Sequence, residues 1–136
     1  MQGGAEFLWH SVNMLCLQTF QDFEIVITRA GKMAENTNEG IRRAKGELIK
    51  ILYLDDMLGT THTLQDIHEN FDDKTEWLIT GAEDNNSPRW TEDIHIGNNK
   101  LGSPSALTFR NHFGDNLLFD ENMSWLLDVD LYKRLY

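Results

Sequence analysis

The order of apolar and polar residues divides the first half of the chain into alternating helices and strands. Residues 5–19 carry apolar side chains at near-helical spacing, which predicts an amphipathic helix, and residues 36–45 predict a second, shorter one. Residues 23–28 and 48–54 are almost continuously apolar, which is typical of strands that are covered on both faces. Lys50 is the one charged residue in the second of these runs.

The second half continues the alternation with shorter segments. Its spacing predicts helices at residues 62–71 and 125–135, strands at 76–81 and 106–110, a short edge strand at 94–96 and an extended piece at 117–119. Helices that alternate with buried strands favour an α/β fold with a mainly parallel central sheet, flanked by helices. Within that sheet, residues 23–28 and 48–54 are expected to be central neighbours.

The helix at residues 36–45 has both start and stop signals. Asn36 and Thr37 are N-cap candidates, and Glu39 lies in the first turn, where the helix dipole favours negative charge. Gly46 stands where a left-handed residue commonly ends a helix. These signals predict a compact helix that leads directly into the strand at residues 48–54.

Two adjacent carboxylates, Asp55 and Asp56, follow that strand. In open α/β sheets, ligands bind outside the carboxyl ends of the strands. Hard divalent cations such as Mg²⁺ and Mn²⁺ take oxygen ligands, usually one or two carboxylates together with substrate phosphates. The pair is therefore a candidate metal site, although Asp and Gly in this segment are equally typical of a chain reversal at a strand end.

The same region resembles the family 2 glycosyltransferases. The family's central signature is a helix of the form Asn-x-Gly-x-x-x-Ala-x-Gly-Glu, an apolar strand and an acidic metal motif. This chain has those five signature residues in order, followed by Leu-Tyr-Leu-Asp-Asp: Asn38, Gly40, Ala44, Gly46 and Glu47. Residues 11–27 are similar to the family's first helix and second strand, and residues 102–110 and 119–134 to its acceptor-side strand and base motif.

The resemblance implies a nucleotide-diphospho-sugar transferase-like (A-type) fold and a metal-dependent transfer reaction. A sugar would pass from a nucleotide-diphosphate donor to the hydroxyl of a carbohydrate or other acceptor. By the same resemblance, Asn38, Asp55 and Asp56 would bind the donor, the two aspartates with Mn²⁺ or Mg²⁺, and Asp128 would be the general base. Read without the family, Asp128 and Asp130 are acids suited to the first turn of a helix.

Several positions depart from the family pattern. The chain starts just after the place of the family's first strand, and no acid follows Ile27 and Thr28. Tyr53 stands where the outer Asp of the metal motif is expected, and Leu127 replaces the Glu of the base motif. The chain is therefore interpreted as a shortened member of the family, and activity is an open question. A non-catalytic remnant or binding module of the same fold is the alternative, and an exposed sheet border favours a homodimer.

A third reading, a receiver-like signalling domain, also places Mg²⁺ at an acidic strand end. It requires an isolated phospho-acceptor Asp and a later strand-end Lys, and the chain lacks both in that order.

Composition limits the class of protein. With 136 residues, 40% of them hydrophobic, residues 1–136 are expected to form one domain. A net charge of −10 disfavours nucleic acid and anionic membranes as partners. The sequence has no apolar run of membrane-spanning length, and Cys16 is its single cysteine, so no disulfide forms within the chain. These features predict a cytoplasmic protein without a membrane span.

Overall fold

A computed structural model describes residues 2–29, 31–112 and 114–136. Within them the chain forms four α-helices: α1 (Gln2–Cys16), α2 (Met33–Arg43), α3 (Thr63–Glu69) and α4 (Leu127–Leu135). Short 3-10 turns occupy Glu92–Ile96, Pro104–Ala106 and Gly114–Leu117. Among the described residues, no helix combines the length and apolar character needed to cross a membrane.

The sheet has three strands, β1 (Leu48–Lys50), β2 (Trp77–Ile79) and β3 (Leu107–Arg110). Their order is β1-β3-β2, and β3 pairs antiparallel with both neighbours, with Ile49 and Trp77 opposite Phe109 on its two sides. The expected mainly parallel sheet of the nucleotide-diphospho-sugar transferase type is therefore wrong. Residues 94–96 were expected to form an edge strand and instead lie in a 3-10 turn.

The hydrophobic core is built around β3, the central strand. Leu107 is 0% exposed and Phe109 1% exposed, because β1, β2 and the surrounding helices cover the strand. The other buried aliphatic and aromatic residues of this core come from two parts of the chain, residues 34–51 and 94–132: Ala34, Ile41, Ile49, Ile51, Ile94, Leu101, Leu117, Phe119, Leu127, Val129, Leu131 and Tyr132. A single core of this kind is what a chain of this length can support.

Residues 23–28, expected to form a central strand, take part in no strand pairing. The Glu24 carboxylate instead accepts hydrogen bonds from the backbone N–H groups of Lys45 and Gly46, directly after α2. Ile25 and Ile27 are 43% and 51% exposed. The segment is anchored beside the end of α2, and its apolar side chains remain accessible because no strand pairs with it.

The start and end of α2 also differ from the expected signals. The helix begins at Met33, and the backbone N–H of Lys32 donates to the Glu35 carboxylate at 2.9 Å, so Asn36 and Thr37 lie inside the helix. At the other end, Ala44 is extended, and the left-handed glycines of the described chain are Gly31, Gly97 and Gly102. The prediction of a left-handed Gly46 is wrong, because the chain leaves α2 in an extended conformation.

Helix α1 lies at the surface. Its apolar residues Phe7 and Trp9 are exposed, and so is Cys16. The end of the helix is fixed by Gln18, which is buried and donates to the carbonyl of Thr60 at 2.7 Å while accepting from the N–H of Leu64 at 3.0 Å. The helix is therefore attached to the segment after β1, not inserted into the core.

Candidate functional site

The acidic pair lies in a turn shortly after β1. The chain turns at Tyr53, whose carbonyl accepts the N–H of Asp56 at 3.0 Å. The Asp55 side chain is exposed, and that of Asp56 is half-buried. Helix α1 supports this turn, because the hydroxyl of Ser11 donates to the carbonyl of Asp56 at 3.4 Å.

Asp128 lies in the first turn of α4 and is held by an asparagine. The side-chain amide of Asn99 donates to the Asp128 carboxylate at 2.6 Å. Asn99 is itself fixed, because the same amide donates to the carbonyl of Gly102 at 2.8 Å and its oxygen accepts the N–H of Leu101 at 2.8 Å. The carboxylate is half-buried, and this hydrogen bond orients it.

Tyr53 lies between the two acidic segments. Its hydroxyl is 3.4 Å from the hydroxyl of Thr37 in α2, which donates to it. Burial raises the pKa of the Tyr53 phenol; the Thr37 hydrogen bond lowers it, and the nearby carboxylates of Asp128 and Asp56 raise it further. Asp56 and Asp128 are more than seventy residues apart in the sequence, yet both act electrostatically on one phenol.

The turn formed by residues 102–105, called the central turn below, connects these groups. The Tyr132 hydroxyl donates to the carbonyls of Gly102 and Ser103, each at 3.0 Å. The hydroxyl of Ser105 accepts the N–H of Tyr53 at 2.8 Å. Gly102 has φ +108°, a conformation that side chains rarely tolerate, and its carbonyl meets both Asn99 and Tyr132. The central turn thus contacts both acidic segments.

Lys50 is half-buried and lies against the same turn. Its ammonium group donates to the carbonyls of Ser105 and, at 3.0 Å, of Ile51. Burial lowers its pKa from 10.5 to about 8, and the neighbouring Asp56 carboxylate opposes that change. Lys50 therefore places a cation on the inner side of the acidic turn.

The backbone is strained next to Asp128. Leu126 has φ 57°, and among the described residues it is the one non-glycine residue with a positive φ. Such a conformation costs on the order of 1–3 kcal/mol and is found preferentially near functional sites. Here it starts α4 abruptly at Leu127, which places Asp128 in the first helical turn.

The donor set at the acidic turn consists of two carboxylates. In the part of the chain that the structure describes, no group of three or more His, Cys, Asp or Glu side chains is arranged to hold a metal ion. Two adjacent carboxylates do match the way Mg²⁺ and Mn²⁺ bind when substrate phosphates supply further oxygens. Asp55 and Asp56 fit that mode, with Asp56 as the member close to Tyr53 and Lys50.

Asn38, the third residue expected to bind the donor, has a different environment. It is 1% exposed, and its side-chain oxygen accepts the N–H of Phe119 at 2.8 Å. Its amide donates to the carbonyl of Phe119 and to the Glu121 carboxylate, each at 2.9 Å. Both ends of the carboxamide are thus engaged in joining α2 to the segment before α4, and these hydrogen bonds go to Phe119 and Glu121, not to Asp55, Asp56 or Asp128.

Replacing Asn38 with alanine is expected to destabilise the protein by about 2–4 kcal/mol. The change leaves the buried N–H and carbonyl of Phe119 without their partner, and an unsatisfied buried group costs about 1–3 kcal/mol. Urea denaturation followed by circular dichroism measures the loss, and the exposed Asn116 changed to alanine is the matched control. Equal stability of the two variants would contradict a structural role for Asn38.

Two surface cavities lie away from Asp55, Asp56 and Asp128. One, of about 240 Å³, is lined by Ile41, Arg42, Ala44, Asn111 and Asp115. The other, of about 320 Å³, is lined mainly by apolar residues of the turn at Glu92–Ile96 and by one side of α4, including Val129 and Lys133. Neither is lined by Asp55, Asp56 or Asp128.

Sequence reasoning missed four residues of this site: Lys50, Tyr53, Asn99 and Tyr132. Lys50 had a signal, since it is the one charge in an otherwise apolar run. Tyr53 stands out in the sequence only as a departure from the metal motif. The remaining two had no signal, because the contacts from Asn99 and Tyr132 to Gly102 depend on how the chain folds back.

The lowered pKa of Lys50 predicts a pH-dependent stability. An unfolded lysine titrates near 10.5 and the folded Lys50 near 8, so between these values the unfolded state binds more protons. The free energy of unfolding should therefore rise with pH across this window, by up to on the order of 3 kcal/mol. Urea denaturation at intervals from pH 7 to 9.5 measures the first part of this rise.

The Lys50→Met variant isolates this contribution. It should lack the rise, and its stability at pH 7 should at least equal that of the wild type, because a buried charge has been replaced by an apolar chain of similar length. Lys74→Met, at an exposed lysine, is the control and should retain the wild-type pH dependence. Parallel pH profiles for wild type and Lys50→Met would show that Lys50 is not a buried charge.

Comparisons of the chain with models of known protein families, with curated proteins and with solved structures give no match.

Proposed function

We propose that the protein transfers a sugar from a nucleotide-diphosphate donor to an acceptor hydroxyl, and that Asp56 and Asp128 are the two acidic groups of that reaction. The observation that carries the proposal is the central turn, residues 102–105. Its Ser105 hydroxyl accepts the N–H of Tyr53, which precedes the acidic pair, and its Gly102 carbonyl accepts from Asn99, which also donates to Asp128. Asp56 follows β1, and Asp128 lies in the first turn of α4, so it is the tertiary structure that links both segments to one turn. Groups that act on one substrate must converge in this way.

Asp128 is suited to act as the general base. Its carboxylate is half-buried and is oriented by the side-chain amide of Asn99. It would take the proton of the acceptor hydroxyl as that oxygen attacks the anomeric carbon of the sugar. The bond from the anomeric carbon to the diphosphate breaks in the same step, and the electron pair leaves with the nucleoside diphosphate.

Asp55 and Asp56 are suited to the diphosphate side of the reaction. They would hold Mn²⁺ or Mg²⁺, and such an ion neutralises the charge that develops on the leaving phosphate oxygens. The half-buried position of Asp56 fixes its carboxylate, whereas the exposed Asp55 is free to approach a ligand from solvent.

A binding module without transfer activity is the second candidate. The observation in its favour is the segment at residues 23–28, which resembles a family strand that normally ends in an acid contacting the nucleoside. In this chain the segment is unpaired, and Thr28 is followed by Arg29. A protein that had kept Asp55, Asp56 and Asp128 but lost the nucleoside contact would bind a phosphorylated ligand without turnover.

Titration calorimetry distinguishes these functions. The protein is titrated with UDP, GDP and dTDP and with the corresponding glucose derivatives, each with and without Mn²⁺, and release of nucleoside diphosphate is then followed for every sugar that binds. Mn²⁺-dependent binding with release supports transfer chemistry, and binding without release supports the binding module. The absence of heat with all ligands would contradict both.

We also propose that the protein forms a homodimer through its exposed apolar surface. Ile25 and Ile27 project from an unpaired segment, and Phe7 and Trp9 are exposed on α1. Unpaired extended segments tend to pair with another chain, and a second copy offers an identical one. A net charge of −10 per chain opposes association, and salt screens that repulsion.

Light scattering at rising protein concentration is therefore expected to show a dimer. The dimer fraction should be larger at 0.5 M than at 0.05 M NaCl. Ile25→Glu should shift the population to monomer with little change in the melting temperature, because Ile25 is already partly exposed. Glu69→Gln, at an exposed acid of α3, is a control that alters net charge by one without touching this surface. A monomer at all concentrations and salt levels would contradict the proposal.

A further inference from the structure

The ammonium of Lys50, on a half-buried side chain, is held by main-chain carbonyls and takes no direct part in the proposed transfer reaction. β1 places Lys50 opposite Thr108 of the central strand, at the last paired position before the chain runs towards Asp55 and Asp56. Lysine is among the residues least often buried, because its charge prefers water. Here the side chain turns inwards and donates to two main-chain carbonyls, those of Ile51 and Ser105.

The two carbonyls belong to different parts of the site. Ile51 lies in the segment that leads to the acidic turn, and Ser105 lies in the central turn, residues 102–105. The same Ser105 accepts the Tyr53 N–H through its hydroxyl at 2.8 Å. Lys50 thus binds the Ser105 carbonyl, and the Tyr53 N–H binds the Ser105 hydroxyl. Both residues attach the segment after β1 to the same residue of the central turn.

The other end of the central turn holds the Asp128 side of the site. The carbonyl of Gly102 accepts from Asn99, which also donates to the Asp128 carboxylate. The Tyr132 hydroxyl, from the same helix as Asp128, donates to the carbonyls of Gly102 and Ser103. Lys50 is therefore connected to Asp128 by hydrogen bonds at the two ends of the central turn and by the backbone of the turn between them.

We propose that Lys50 is a positioning residue, whose ammonium fixes the segment carrying Asp55 and Asp56 against the central turn and so sets its separation from Asp128. The part of this inference that concerns turnover rests on the proposed transfer function, whereas the part that concerns position does not. Lys50 touches neither donor nor acceptor. It acts through Ser105 and Tyr53.

The position is tested first without any ligand, by amide hydrogen exchange measured by NMR on the full chain. Lys50→Met should accelerate exchange of the Tyr53 and Asp56 amides at least tenfold. The Tyr53 N–H donates to the Ser105 hydroxyl and the Asp56 N–H to the Tyr53 carbonyl, and both acceptors lose the anchor that Lys50 provides. The amide of Phe109, in the central strand, should exchange as in the wild type. Unchanged exchange at Tyr53 and Asp56, or equal acceleration at Phe109, would overturn the proposal.

Turnover provides the second measurement, with the nucleotide-glucose that binds most tightly in the calorimetric series. Lys50→Met should leave its Mn²⁺-dependent Kd within about threefold and lower kcat at least tenfold, since small displacements of reacting groups are costly. A residue with only a general structural role would change both or neither. If the wild type binds no nucleotide, the transfer function fails, and hydrogen exchange alone decides the position of Lys50.

Lys50→Gln covers the case in which Lys50→Met does not fold. The shorter, neutral glutamine side chain retains N–H donors but does not reach both carbonyls. The backbone amide of Tyr53 should therefore exchange about threefold or more faster in Lys50→Gln than in the wild type. Lys74→Met, at an exposed lysine, is the control and should match the wild type in both measurements. A Lys50→Gln variant identical to wild type at Tyr53 and Asp56 would overturn the proposal.

Discussion

Replacing Asp128 with asparagine is expected to lower turnover of the nucleotide sugar by about 10²–10⁴-fold, the usual contribution of a general base. Asparagine has the same shape as aspartate, so the start of α4 should be retained, but it cannot accept the proton of the acceptor hydroxyl. Binding of the donor should be little affected, because Asp128 acts on the acceptor. Release of nucleoside diphosphate measures the first effect, and calorimetry the second.

Asp130→Asn is the matched control for this experiment. Asp130 lies two residues further along α4, where its half-exposed carboxylate accepts from the guanidinium of Arg134 at 3.0 Å. Its replacement should change turnover by less than threefold, because an exposed ion pair within a helix contributes only a few tenths of a kcal/mol. If the two variants lose activity equally, Asp128 is a helix-start residue and not the base.

The second large effect is expected at Asp56. Replacing it with alanine should weaken Mn²⁺-dependent binding of the nucleotide by on the order of 10–100-fold, the loss that corresponds to removing one charged contact of about 1.5–3 kcal/mol. Binding measured without Mn²⁺ should change much less. Calorimetry with and without the ion gives both values on the same preparation.

The Asp56→Ala variant also has an internal check. The Asp56 carboxylate raises the pKa of Lys50 against the effect of burial, so without it that pKa should fall below about 8. The rise of stability with pH should then begin at lower pH than in the wild type. Asp73→Ala, at an exposed acid, should change neither property. If Asp56→Ala binds the nucleotide with wild-type affinity, Asp56 is not part of the binding site, whatever the dependence of stability on pH.

Local sequence was sufficient to predict the helices. The four α-helices coincide with four apolar patterns of helical spacing, because helical hydrogen bonds join residues only four apart and the pattern is carried by neighbouring positions. The ends were less well predicted: α2 starts at Met33 where the N-cap signals favoured Asn36. Glu35, bonded to the N–H of Lys32, decided the start.

The strands were located but their partners were not. Residues 76–81 and 106–110 do contain β2 and β3, yet the sequence pattern carries no information on which strand lies beside which. β3 became the central strand, antiparallel to both neighbours, and residues 23–28 remained unpaired although their composition is that of a buried strand. Pairing joins residues distant in sequence, so it depends on the whole core and not on any one segment.

For the candidate site, the sequence by itself determined the chemical groups: the Asp55–Asp56 pair after an apolar run, the acid Asp128 at the start of a helix, and the single charge of Lys50. The tertiary structure decided their environment. It brought Asp56 and Asp128 towards Tyr53, buried Lys50 under Ser105, and used Asn38 to join α2 to Phe119. Residue type fixes what a side chain can do chemically, whereas burial and neighbours from remote parts of the chain fix whether it faces a ligand or the core.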